Sequence, residues 1–332
     1  MPITVSGGVT LNAGVLLTPA GGSSPSPSPG GGGFQGSNFG YNSGGFTGSV
    51  YSNVIEKYSF TSDANATDVG DLTVARNSLA GQSSSASGYS SGGENSKTTI
   101  DKFPFASDGD ATDVGNLATD IYGNAGQSSE ASGYSSGNRV SSAAGTTIEK
   151  FSFSADGNAT DVGDLTVARG GPAGQSSSVS GYTSGGGYYG STYQNVIDKF
   201  PFASDGNASD VGDLTGTAWY TTGQSSTASG YRTGGYASDV TSVNIIDKFP
   251  FSSDGNATDV GDLSTTKAAA SGTSSTASGY VAAGATPSRV NVIEKFSFTS
   301  DGNSSDVGDL TTLVSAPAGQ QYYSLFDNSH SL

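Results

Sequence analysis

"FPFASDGNASDVGDL", residues 200–214, returns as "FPFSSDGNATDVGDL" at 249–263 with two letters changed. The Lys preceding each phrase belongs to an (E/D)-K-(F/Y) step found at Lys57, Lys102, Lys150, Lys199, Lys248 and Lys295, at intervals of 45, 48, 49, 49 and 47. Periods of this size mark repeat architectures, so the chain reads as six copies of one unit filling about residues 35–322.

Each unit holds four short segments. "NVIEKFSF" (291–298) is rich in β-branched and aromatic residues and suits a strand. "TSDGN" follows with an Asp-Gly pair, which predicts a tight hairpin turn, and the chain returns through "DVGDL". "AGQSS" (80–84) and "GYSSGG" (88–93) complete the set. In the order a (AGQSS), b (GYSSGG), c (IEKFSF) and d (DVGDL), four strands per 45 to 49 residues predict one propeller blade.

Segment b begins at 40, 88, 133, 181, 230 and 279, and segment a at 80, 125, 173, 222, 271 and 318. The first unit has b, c and d without a, and the last a has no b after it. A ring resolves both ends: the C-terminal a strand completes the N-terminal blade, and closure leaves no orphan sheet edge. The expected fold is an all-β, six-bladed β-propeller of four-stranded blades.

"LAGQSSSASGYSSGG" (79–93), "TTIDKFPF" (98–105) and "DVGNL" (113–117) together resemble a kelch unit. The wording of the whole repeat is similar to propeller-like repeats in virion proteins of tailed phages that infect marine bacteria. That resemblance implies a virion localisation, other virion proteins as partners, and a place as tail fibre or capsid decoration protein.

Composition narrows the function. With a formal charge of −16 at pH 7, the chain is a poor partner for nucleic acid or anionic membrane surfaces, which Lys and Arg must neutralise. Cys is absent, which removes disulfides and thiolate metal sites. No apolar run reaches membrane-spanning length, and the first residues lack the pattern of a secretory leader.

Residues 1–19 read as a separate arm with strand-like Ile3, Val5, Val9, Leu11, Val15 and Leu16, able to add a strand to a partner's sheet edge. The frayed-terminus reading of these residues stays open. Residues 20–34 are a Pro/Ser/Gly linker, 35–322 the propeller, and 323–332 a tail.

Within the repeat, adjacent Glu56 and Lys57 point to opposite sheet faces, so each should meet a neighbouring blade, with Asp68 and Asp71 as expected partners in a structural ring. Asp205, Asp210 and Asp213 crowd one turn region and could hold Ca²⁺, but the pattern recurs in each unit and suits turn structure better. No other cofactor is expected. The turn also resembles the Asp box of sialidases, which implies a glycan-processing enzyme as an alternative. Catalysis has little else behind it: the one His is His330, and Arg76, Arg139, Arg169, Arg232 and Arg289 read as scattered among non-equivalent places.

Recognition fits better. The a–b and c–d turns share one end of the ring and barely vary, whereas the b–c and d–a connections share the other and do. The varied end carries Tyr188, Tyr189, Tyr193, Trp219, Tyr220 and Tyr236 on adjacent blades. Rings on loops of a rigid scaffold suit sugars or proteins of a host surface. The competing reading is that they cover the end of a small-residue core.

Overall fold

The computed structural model describes residues 36–322, except Lys97, Ser141, Ser142, residues 189–191 and 238–240, and the side chains of Val140 and Thr286. The expected arm with Ile3, Val5, Val9, Leu11, Val15 and Leu16, the linker, the tail with His330, and Tyr189 lie outside the described residues. Within them every regular element is a strand.

The strands form six antiparallel sheets, each ordered a-b-c-d as the repeat predicts. Blade 2, for example, runs Ala80–Ser83, Ser87–Ser91, Thr99–Pro104 and Thr112–Asn116. Blade 6 carries an extra two-residue strand, Ala285–Thr286, on its c strand. Blade 1 joins Phe39–Phe46, Tyr51–Ser59 and Thr67–Asp71 to the C-terminal Ala318–Tyr322, in register from Phe39↔Tyr322 to Ser43↔Ala318. This is the predicted closure. Each inner strand packs on that of the next blade, and the last returns to the first, so the sheets are a six-bladed β-propeller.

The second residue of strand a is Gly in each blade because the inner strands touch backbone to backbone at the axis. A Cβ on Gly126 would stand 2.1 Å from the Gly81 carbonyl oxygen, and one on Gly81 would stand 2.1 Å from that of Gly319. Cavities of about 50 and 90 Å³ lie on the two sides of these glycines. Each has room for no more than a few waters, so they are no place for a larger ligand.

Blades are joined by the same contacts repeated. The Tyr of strand b lies against the two rings of strand c in the next blade: Tyr182 is 5.6 Å from Phe249 and 4.8 Å from Phe251. The Gln of strand a donates to the carbonyl of that next blade's Tyr, as Gln127 does to Tyr182 at 2.9 Å. Blade 6 has Thr273 in place of Gln, and there Tyr58 of blade 1, standing where the other five blades have Phe, meets the Thr273 hydroxyl at 2.7 Å. Two exceptions to the repeat thus compensate each other.

The charged step behaves as alternation demands, with different partners from those expected. Lys57 pairs with Asp108 of the next blade at 2.9 Å, and Lys295 closes the circle on Asp63 at 3.2 Å. These are the Asp residues of the c–d connection. Asp68 and its equivalents instead cap the strand's own Gly amide, as Asp68 does for Gly70 at 3.2 Å. Asp71 donates its own amide to Asp110 Oδ1 at 3.0 Å. The connection is also longer than a tight turn: the c–d ladder of blade 4 closes at Lys199↔Ser209, and residues 200–208 project beyond it. That excursion lets Asn207 accept the Asp164 amide of the preceding blade at 3.1 Å, the work of the turn Asn in the repeat.

The acid of the step turns the other way and is fully buried. Asp198 accepts from the Thr166 amide and hydroxyl of the preceding blade at 2.9 and 2.7 Å and pairs with Arg169 at 2.5 Å. Arg76 serves Asp101 from the equivalent place. In blade 5 that place is Ala218, and Arg232 reaches Asp247 from strand b. These three Arg residues are therefore one structural set, contrary to their scattered reading in sequence. Lys267 does the same for Glu294, whereas Ile121 and Val314 occupy the position facing Glu149 and Glu56. Burial pushes the Glu56 carboxyl up despite its hydrogen bonds from Thr311. At Glu294 burial acts the same way, but Lys267 and its hydrogen bonds outweigh it and hold the carboxyl down.

Candidate functional site

In each blade the a–b ladder extends by one isolated bridge toward the varied end: Asn77↔Glu94, Tyr122↔Arg139, Gly170↔Gly187, Trp219↔Tyr236, Ala268↔Ala285 and Phe46↔Ser315. The backbone is equivalent and the side chains are not. Blades 3 and 5 present Tyr/Arg and Trp/Tyr, and blade 4 between them presents Gly/Gly.

That gap is filled by Arg139 of blade 3 and by Tyr193 of blade 4 itself. A Cβ on Gly170 would meet the Arg139 side chain at 2.2 Å, and one on Gly187 would meet the Tyr193 ring at 2.7 Å. Arg139 thereby reaches across blade 4. Its guanidinium carbon lies 5.2, 5.3 and 5.7 Å from the Tyr122, Tyr188 and Trp219 rings, and it donates to the Tyr220 hydroxyl at 3.4 Å. Cation–ring attraction of this kind strengthens as water is removed. Burial, the largest single influence, works against the Arg139 charge, but the phenols of Tyr220, Tyr122 and Tyr188 outweigh it and keep its pKa above the ordinary value.

Trp219 is the hub of the rings, 5.8 Å from Tyr193, 4.5 Å from Tyr220 and 6.0 Å from Tyr236. Of the residues singled out in the sequence, Tyr193 and Trp219 are buried at 7% exposure and make a platform, whereas Tyr188, Tyr220 and Tyr236 are half-buried and offer surface. The cluster thus combines a buried platform with partly exposed rings. Burial raises the phenol pKa of Tyr122 and of Tyr236.

Tyr220 holds an unusual position. Two residues before each a strand the backbone is left-handed: Ser78, Gly123, Gly171, Tyr220, Ala269 and Ala316 have φ of 55°, 62°, 60°, 49°, 53° and 54°. These residues link blade to blade around the channel mouth, Gly123 donating to Ser78 at 2.7 Å, Gly171 to Gly123 at 2.6 Å and Ala316 to Ala269 at 2.6 Å. Blade 5 departs, Thr221 rather than Tyr220 donating to Gly171, at 3.2 Å. A bulky side chain at positive φ costs of order 1 to 3 kcal/mol and persists where the surroundings impose it, often at binding sites. The Tyr220 hydroxyl lies 3.4 Å from Ser78 Oγ, three blades away, so the ring lies across the mouth.

Arg139 and Tyr122 escaped the sequence reading because each is a lone residue in a connection that varies. The signal was the register: extending the a–b pairing by one step in each unit places both on the row that also holds Trp219 and Tyr236.

At the opposite end the turn carboxylates are engaged. Asp205 accepts from Lys150 at 2.9 Å, and Asp210 from the Gly212 amide at 3.1 Å. Among the described residues no three His, Cys, Asp or Glu side chains are grouped to hold a metal ion. Comparison of the chain with known protein families and with curated proteins returns no match.

Proposed function

We propose that the protein is a non-enzymatic recognition module, a tail-associated virion component held by its N-terminal arm and displaying the varied end of the propeller toward a host-surface glycan or protein. The observation that carries the recognition reading is the gathering of half-buried rings around Arg139, with Tyr220 kept in a costly backbone conformation over a channel too narrow to be a site itself. The virion context rests on the resemblance of the repeat. The glycan-processing alternative is weakened by the positions of Arg76, Arg169 and Arg232, which are fully buried in blade interfaces and out of reach of a substrate.

Two experiments test the proposal. The full chain on a glycan array and on host cells should bind, and Arg139→Gln should reduce binding without loss of fold. Immunogold labelling should mark the tail of particles that carry the chain. Label over the head would move the assignment to capsid decoration, and turnover of a bound glycan would defeat the non-enzymatic reading.

A further inference from the structure

Beside the Arg139 cluster, across the Tyr220 ring, lies a second concavity of about 250 Å³, lined among others by Asn77, Ser78, Tyr220, Tyr236, Arg289 and Ala316. It exceeds each of the axial cavities severalfold. From its chemistry we infer that it takes a saccharide carrying an anionic group, a carboxylate or a sulfate; this rests on the recognition reading and names its ligand class.

Three features support the assignment. First, Arg289 is held in place without a described carboxylate: its Nε donates to Ser315 Oγ at 3.2 Å and its guanidinium carbon lies 4.6 Å from the Phe46 ring. Stacking and one anchoring bond leave the terminal nitrogens as a fork for a planar anion. Arg139, on the other side of Tyr220, also lacks a carboxylate partner among the described residues, and its buried Nε has no hydrogen-bond acceptor. The chain has a formal charge of −16. At one end of so acidic a protein, Arg289, partly withdrawn from water, is suited to an anion.

Second, Asn77 lines the cavity with its Oδ1 buried and without a donor, so the wall near Arg289 is polar. Third, Tyr220 and Tyr236 supply ring faces on the same wall, the apolar complement of a sugar ring. A pure anion site has no use for the rings, and a neutral-sugar site has no use for Arg289.

The test is titration calorimetry of the full chain with uronate oligosaccharides, sulfated galactan oligosaccharides and neutral glucan oligosaccharides of equal length. The expected result is binding of at least one acidic series about tenfold or more tighter than the neutral one. Arg289→Gln should weaken the acidic series by a similar factor, Arg289→Lys should weaken it less, and both should retain the wild-type melting temperature within a few degrees. Whether uronate or sulfate binds identifies the anionic group. Equal binding of the neutral and acidic series, unaffected by Arg289→Gln, overturns this inference and leaves the recognition reading standing. Failure of the wild type to bind any saccharide, while it still binds host cells, also overturns it; failure to bind cells as well defeats both.

Discussion

The two ends of this propeller are built from the same six strand quartets and use them oppositely. At the c–d end the blades repeat one contact set: a Lys–Asp pair from Lys57–Asp108 to Lys295–Asp63, and a turn Asn on the preceding blade's amide. At the b–c end the equivalent backbone row carries Asn/Glu, Tyr/Arg, Gly/Gly, Trp/Tyr, Ala/Ala and Phe/Ser. Repetition is what a ring needs to close, since each interface must supply the same angle. Variation at equivalent positions serves no such need, and it gathers rings around Arg139 over blades 3 to 5 and sets Arg289 on the Phe46 ring. The comparison teaches that stability is distributed around the ring, whereas the recognition we propose is local.

The largest effect should come from the buried half of the repeated interface. Asp198→Asn leaves Arg169 charged and unpaired at zero exposure, and should cost about 3 to 5 kcal/mol in denaturant unfolding. The chain itself shows a way around the loss, because Ile121 faces Glu149 where Arg76 faces Asp101. Combining Arg76→Ile with Asp101→Glu should therefore recover part of what Arg76→Ile alone loses. No recovery would mean that blades are not interchangeable in this layer.

Glu56 sharpens the same point through pH. Its folded pKa is raised, so its favourable contribution is present below the ordinary Glu range and is lost as pH rises through the folded value. At neutral pH the ionised carboxylate is a burden. Glu56→Gln should raise the melting temperature at pH 7, with the gain shrinking toward pH 4. Glu294 has its folded value lowered, so Glu294→Gln should destabilise at pH 7, and that difference should shrink as pH falls. Equal responses at the two sites would remove the distinction drawn between them.

A smaller effect belongs to the compensating pair. Tyr58→Phe should cost about 1 kcal/mol by removing the hydroxyl that meets Thr273, and adding Thr273→Gln should restore it by rebuilding the contact of the other blades. The smallest belongs to the outer ring. Lys199→Met breaks a pair whose Asp254 is 59% exposed, and should shift stability by no more than about 1 kcal/mol, with no change in glycan binding.

Most of the ring was legible because its chemistry repeats. The leftover a segment at 318 announced closure, and the Asp-Lys alternation announced that each charge would face a different blade. What remained hidden was the stagger between blades, which alternation does not encode. Lys57 therefore meets the Asp108 turn and not a residue like Asp68 or Asp71. Spatial substitution was hidden too: Arg232 serves Asp247 from strand b because Ala218 cannot. At the varied end the rings stood out as departures from the repeat. Arg139, Arg289 and Asn77 did not, since nothing about a lone polar residue in a connection shows which neighbour's gap it enters.

The most direct test of the contrast is Tyr220→Gly, with the melting temperature and array binding measured on one preparation. Gly occupies the equivalent left-handed position at Gly123 and Gly171. Relief of the positive φ should offset the lost ring packing, so the melting temperature should hold within a few degrees while glycan binding falls about tenfold or more. A large fall in melting temperature with binding intact would contradict the account, because the varied end would then be part of what holds the ring together.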